Sequence, residues 1–482
     1  MPLARRLEEN LAEIKRRLGV GVSFDVLVRE LTIGGRDAAL IFIDGFLKDG
    51  ATVEILKFLL QLKREDLAPQ PIAKIVRSGL PYFEVDTVST LDEVIDQVLA
   101  GPAALLVDGQ TEAVVIDVRQ YPVRGIEEPD LERVTRGSRE GLVETIVFNT
   151  ALIRRRLRDP NLRFEMRSVG KQSRTDVALG YIEGVANPDT VAEIRRRLEK
   201  TDVTALTMGS QSLIEILTGQ RLNPFPLARL TERPDVAAAH LAEGHVVVLT
   251  DTSPTALILP ANVWHFTQHA EEYFQSPVVG TFMRWARFVA IGLSLVLGPL
   301  WLMLATLPER PDWLAFIGPA EEPRVALWIQ FLFLEFGIVL IGQALIHTPS
   351  AMSTALGIVG AILLGELAIE VGLFVPETVL YAAVTALTSF ATPSLEFAHA
   401  LRLFRYLLFV LVALWGPWGF AAGLGVTVLC LAMTNSFGLP YLYPLIPPDA
   451  KALVRLLFRF PIVQLGTRSA PKQGRRGANS GS

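Results

Sequence analysis

The sequence predicts a two-lobed soluble α/β domain at the N-terminus followed by an all-α polytopic membrane domain. Three observations predict this class. Residues 1–276 mix charged, apolar and turn-forming residues as soluble α/β chains do, whereas long apolar runs dominate from Phe288 to about Met433. A β-rich hairpin pattern around Asp108 recurs around Asp251. Phe288 to Thr306 carries no charge over 19 residues, enough helix to cross a hydrocarbon core of about 30 Å. The expected division is 1–276 for the soluble domain, 277–448 for the membrane domain and 449–482 for a basic, largely disordered tail.

The first element is the amphipathic segment "MPLARRLEENLAEIKRRLG", which lacks the apolar stretch of a secretory signal. Its interspersed Glu8, Glu9 and Glu13 favour a solvated helix over one seeking a membrane surface. "AALLVDGQTEAVVIDVR" is expected to be a hairpin, because its runs are β-branched and Asp108-Gly109 tolerates positive φ. "LAEGHVVVLTDTSPTALILP" repeats the order, matching Gly244 with Gly101 and Asp251 with Asp108. Between the two copies, "SREGLVETIVFNTALIRRRLRD" has helical spacing, with Ser138 as the expected N-cap. Arg154, Arg155 and Arg156 would end that helix, favoured there by its dipole and by solvation. "LRFEMRSVG" and "TDVALGYIEGVA" read as strands, and "PDTVAEIRRRLEKTD" as a helix.

In the membrane half a second span fits Val325–Ile346 and a third about Thr354–Phe374. Val379–Ala391, Leu401–Trp415 and Gly419–Met433 are shorter, and "WGPWG" breaks the last apolar stretch. Arg284 and Arg287 precede the first span, and the following loop holds Glu309, Asp312, Glu321 and Glu322 against Arg310 and Arg324, so the N-terminal domain is expected in the cytoplasm. The basic residues from Lys451 to Arg476 put the C-terminus on the same side, giving four or six crossings.

Composition narrows the function classes. A net charge of −4 gives no global field for nucleic acid, and the single Cys430 excludes a disulfide framework and a paired-thiolate metal site. No phosphate-binding loop, dinucleotide turn or serine elbow is present, so an enzyme is not expected and no cofactor is implied. His265, His269 and Glu272 are the nearest approach to a metal motif, but a structural juxtamembrane helix is the preferred reading. The chemistry that stands out is acidic. Glu366 and Glu370 lie in an apolar segment, where each central carboxylate costs about 2.5–3.5 kcal/mol and each large aliphatic residue returns only about 0.3–0.6 kcal/mol. At helical spacing Gly357, Ala361 and Gly365 form a small-residue packing face nearly opposite these two glutamates. Glu366 and Glu370, with Glu335 in the preceding span, are candidates for a cation pathway. Two other readings stay open for the pair: placement near the outer headgroups, or protonated or paired structural residues. Glu396 and His399 are weaker candidates for the same path.

Four stretches carry a resemblance. "RGSREGLVETIVFNTALIRRRLRDPNL", "VGKQSRTDVALGYIEGVANPDTVAEIRRRL", "AEEYFQSPVVGTFMRWARFVAIGLSL" and "HTPSAMSTALGIVGAILLGELAIEVGLF" together resemble the GerA family of bacterial spore-germination proteins, from about Phe24 to Pro448. Within it, "IHTPSAMSTALG" and "SFGLPYLYPLIP" are more similar to the stage V sporulation members than to nutrient-receptor A subunits, where Arg-Thr-Pro is expected in place of His347-Thr348-Pro349. The resemblance implies a multi-pass protein of the spore inner membrane with both termini cytoplasmic. It further implies a homo-oligomeric channel for monovalent cations that amplifies the germination signal with a small membrane partner and other germination proteins. The alternatives are an A subunit of a nutrient germinant receptor and a non-conducting component of calcium-dipicolinate release.

Overall fold

A computed structural model describes residues 1–461 apart from 68, 81–83, 122–131, 220–221, 310, 315–316, 348–356, 359 and 361. In the first lobe, α1 (Leu7–Leu18) precedes the hairpin β1 (Val26–Ile33) and β2 (Arg36–Ile43). Helix α2 (Asp49–Gln61), strand β3 (Val85–Val88), helix α3 (Leu91–Ala100) and the hairpin β4 (Ala103–Val107) and β5 (Ala113–Ile116) follow. The second lobe runs α4 (Ile146–Arg156), β6 (Leu162–Val169), β7 (Thr175–Ile182), α5 (Pro188–Glu199) and α6 (Ser210–Thr218). It closes with β8 (Arg229–Thr231), α7 (Pro234–Ala242), β9 (Val246–Thr250) and β10 (Ala256–Leu259).

Alternation within the strands explains the layering. In β2, Ala39, Ile41 and Ile43 join Leu11 and Ile14 of α1 and Val94 of α3 on one face of the sheet. Ala38 and Leu40 meet Ile55 and Leu59 of α2 on the other. Strands covered on both faces read as unbroken apolar runs, which is why β4 and β9 stand out in the sequence.

The lobes are the same fold twice. Their five-stranded sheets have the orders β1-β2-β4-β5-β3 and β6-β7-β9-β10-β8, which coincide element by element, and neighbouring strands in both are antiparallel. The likeness reaches single hydrogen bonds. Asp108 accepts from the Leu7 N–H at the start of α1 at 2.9 Å, and Asp251 accepts from the Ile146 N–H at the start of α4 at 3.2 Å. Asn10 accepts from the Ala4 N–H and donates to the Ala4 carbonyl, as Asn149 does with Val143. Each carboxylate thus satisfies an orphan donor of a helix N-terminus from the turn of a distant hairpin.

Three expectations change here. Helix α4 begins at Ile146 rather than near Ser138, whose hydroxyl instead accepts from Arg156 at 2.6 Å. Arg154 is not a solvated cap. Its guanidinium is fully buried between the lobes, donating to Asp25, to the Ser23 hydroxyl at 3.3 Å and to the Leu162 carbonyl at 3.0 Å. Arg155, which was expected to be solvated, lies over the Tyr121 ring at 4.3 Å and pairs with Glu140.

The membrane half is helical: α8 (Pro277–Ala305), α9 (Leu327–His347), α10 (Pro376–Phe390) and α11 (Leu395–Met433), with a last short helix, α12 (Ala450–Leu457). Among the described residues three helices are long and apolar enough to cross a membrane: α8, α9 and α11. Helix α11 is not straight. Gly416 has φ 54° and ψ −129°, and a methyl placed on Gly423 would lie 2.6 Å from Leu408. In a straight helix those two residues would be about 22 Å apart, so the chain folds back at Gly416-Pro417 into two apposed arms. Gly419, against the Leu411 backbone, is the close approach that permits the reversal. The returning arm leads to a small hairpin at residues 435–440, which packs on the second lobe.

The stretch expected to be a third span is not one regular helix. Ile362–Leu367 is π-helical and Ala368–Glu370 adds a single turn. A wider turn over the segment that carries Glu366 changes which residues share a face, so the helical-wheel argument does not carry through it.

Candidate functional site

Glu335 comes from the middle of α9 and Arg405 from the first arm of α11. The pair lies 2.7 Å apart, with the side chains 2% and 1% exposed. Arg405 also donates to the Ser294 carbonyl of α8 and reaches the Ser389 hydroxyl of α10 at 3.4 Å, so one guanidinium ties four helices together. Arg402 approaches Glu335 at 4.0 Å. Five residues before Glu335 on the same helix, the Gln330 amide oxygen accepts from the Val375 N–H at 2.9 Å and from the Thr378 hydroxyl at 2.8 Å. A buried charge in a bilayer needs such a partner, because its desolvation is otherwise uncompensated. Arg402 and Arg405 were visible in the sequence, but their pairing with Glu335 was not, since the partners are far apart in the chain.

Glu366 and Glu370 are placed differently. Both are exposed in the single chain, and neither makes a hydrogen bond or ion pair among the described residues. The predicted small-residue face divides: Gly357 and Gly365 have open space where a side chain would stand, and Ala361 lies outside the described residues. Within the chain it is Gly360 that makes the close contact, with Ile341 of α9 at 2.6 Å from a built methyl. Thus the structure brings Glu335 into the helix bundle and leaves Glu366 and Glu370 on its outside. Glu396, in the first turn of α11, lines a pocket with Asn223 and Pro224, and His399 lies about one turn on.

The joint between the halves has its own geometry. The expected juxtamembrane helix bearing His265 and His269 is absent, because Val263–Phe266 is a 3-10 turn and Glu271–Phe274 a separate short helix. Glu272 is fully buried and pairs with Arg284 at 2.7 Å and with Arg287. Among the described residues no group of His, Cys, Asp or Glu is arranged to hold a metal. His265 instead meets His240 and His245, with ring centroids 5.0–5.5 Å apart. Burial pushes all three imidazoles below the ordinary value of 6.5; Arg229 reinforces this at each of them, and Glu243 opposes it at His245. His240 and His245 escaped the sequence reading because they lie on α7 and beside β9, with no spacing that points to the turn bearing His265.

A model of the Bacillus/Clostridium GerA spore germination protein family matches residues 12–470. The chain belongs to the GerA family. This GerA-family chain is 43% identical to Stage V sporulation protein AF of Bacillus subtilis, over 94% of the chain and 92% of that protein. It is 31% identical to Spore germination protein KA of Bacillus subtilis, over 94% and 84%, and 30% identical to Spore germination protein GerLA of Bacillus cereus, over 96% and 95%. Among solved structures, the N-terminal domain of the A subunit of the Bacillus megaterium spore germinant receptor GerK3 matches at 29% identity, covering 54% of this chain and 96% of that one, with a TM-score of 0.41. The GerA-family chain is thus a germination-related membrane protein, and these three relatives are named for germination or sporulation, not for an enzymatic activity.

Proposed function

We propose that this membrane protein is an oligomeric cation channel, or a channel subunit, that amplifies the germination signal. The observation that carries the reading is the contrast between its acidic groups. Glu335 is neutralised inside the bundle by Arg405, with Arg402 adding positive charge, so a path through one protomer would repel cations. Glu366 and Glu370 are exposed and make no hydrogen bond or ion pair among the described residues, an arrangement that a ring of copies would turn into an enclosed acidic wall. The cation path therefore runs between protomers. A small membrane partner and other germination proteins complete the assembly, which lies in the spore inner membrane with both chain ends in the cytoplasm. The basic residues Arg284, Arg287, Lys451 and Arg455 at one end of the bundle, against Arg310 and Arg324 in the loop near the other, support that orientation.

The test is monovalent cation flux into vesicles holding the full-length protein with its membrane partner. Flux is expected to fall in Glu366→Gln plus Glu370→Gln, and unchanged flux removes both residues from the path. The A-subunit reading is the alternative, with less behind it: 31% and 30% identity to proteins named as spore germination proteins, against 43% to Stage V sporulation protein AF. It predicts a chain that conducts nothing alone and binds receptor subunits instead.

A further inference from the structure

The base of α8 and the short helix α12 form one surface. On α8, Phe282, Trp285 and Val289 recur at i, i+3 and i+7 and are exposed, while Gly280 and Arg284 on the opposite side are buried. On α12, at roughly 100° per residue, Val454 is exposed beside the sector of Lys451 and Arg455, and Leu456 on the far side is buried; Phe458, just past the helix end, is exposed too and donates its N–H to the Val454 carbonyl at 2.9 Å. The two apolar sectors are continuous, because the Trp285 and Phe458 rings lie 5.4 Å apart and the Trp285 indole N–H donates to the Leu457 carbonyl at 2.8 Å. The placement is held rigidly. Arg284, anchored on Glu272 at 2.7 Å, donates to the Leu456 carbonyl at 2.8 Å, and Arg459 donates to the Tyr273 carbonyl at 2.7 Å.

Depth and charge together identify what covers this surface. The charge-free run of the first span begins at Phe288, so Trp285 and Phe282 sit about 5–9 Å outside it along the helix axis, at headgroup level. Water would leave the aromatic pair exposed, whereas a headgroup layer takes the apolar sector and the cations at once. Lys451 and Arg455 make no ion pair among the described residues, and from Ala450 to Ser482 the sequence has seven Lys or Arg and no Asp or Glu. We infer that α12 lies in the plane of the membrane beside the base of α8 and that its Lys451 and Arg455 bind the headgroups of anionic lipids.

The test places the full-length protein in vesicles of phosphatidylcholine with and without phosphatidylglycerol. Cys430, the single cysteine, is replaced by Ala, and a fluorophore is carried by Val454→Cys or, independently, by Phe458→Cys. A third label, Leu429→Cys on the returning arm of α11, reports insertion of every variant. With phosphatidylglycerol present, labels at 454 and 458 are expected to be quenched by a nitroxide attached near the lipid headgroup and shielded from aqueous iodide. Lys451→Gln plus Arg455→Gln should reduce that lipid quenching several-fold, with Lys451→Arg plus Arg455→Lys retaining it. Three results overturn the inference: free access of iodide in both vesicle types, shielding from both quenchers as a covering protein chain would give, or lipid quenching indifferent to phosphatidylglycerol and to the charge variant.

Discussion

Glu335 and the pair Glu366 and Glu370 come from the same apolar half of the chain and have opposite surroundings. The first is locked against Arg405 in a contact that joins four helices; the others stand on the outside of an irregular turn with no partner among the described residues. The difference teaches that an acidic residue in an apolar segment has no single meaning. A pair that closes on itself holds the fold together, and carboxylates left open add nothing to it within the chain. Energetics separates the cases: removing one half of a closed pair strands the other charge, while neutralising an open carboxylate strands nothing.

The sharpest way to break this comparison is to unpair Arg405. Glu335→Gln should cost about 3–5 kcal/mol by leaving the guanidinium buried without its counter-ion, read as lost thermal stability of the detergent-solubilised protein. Adding Arg405→Met should recover much of that loss, and equal losses in the single and double variants would show that the two charges are not coupled. Next in size is the reversal of α11. Gly423→Leu forces a side chain into Leu408 and should cost about 1–3 kcal/mol, whereas Gly425→Leu, where nothing lies within 4 Å, should be tolerated in the same assay. Of similar size, Asn10→Ala and Asn149→Ala should each cost about 1–3 kcal/mol through lost bonds to backbone groups. Similar losses from the two lobes, measured by denaturant unfolding, would extend their likeness from geometry to energy.

A smaller effect is expected from acid. The three buried histidines have folded values below 6.5, so in the window below that value the unfolded chain binds protons that the folded chain refuses. Stability is therefore complete above about 6.5 and declines as pH falls below it. His265→Gln should flatten that decline, as followed by melting temperature against pH. The least effect on stability belongs to Glu366→Gln plus Glu370→Gln, which should leave melting unchanged while cation flux falls.

Much of the fold was legible because its signals are local. The Asp108 and Asp251 turns, with the glycines that precede their hairpins, announced two related lobes from residue order alone, and Gly416-Pro417 marked a break that became a full reversal. What stayed hidden depends on partners distant in sequence. Nothing near Arg154 points to Asp25, so a buried bridge between the lobes looked like a solvated helix end. Nothing in the wheel of Leu356–Phe374 betrays a π turn, because apolar residues surround the glutamates at every helical period. The acidic site was legible as residues, but the division into a closed and an open group was not.

The reversal at Gly416 has a mechanical consequence. It returns the chain to the second lobe, which is therefore fastened to the bundle at two points: through the base of α8, and through the segment after α11, where the Val263 N–H donates to the Tyr441 carbonyl at 3.0 Å. A domain on one tether can swivel freely, but a domain on two behaves as a yoke. Any tilt or lift of the lobe would therefore load the first and last long helices together, and neither can shift alone while both attachments hold.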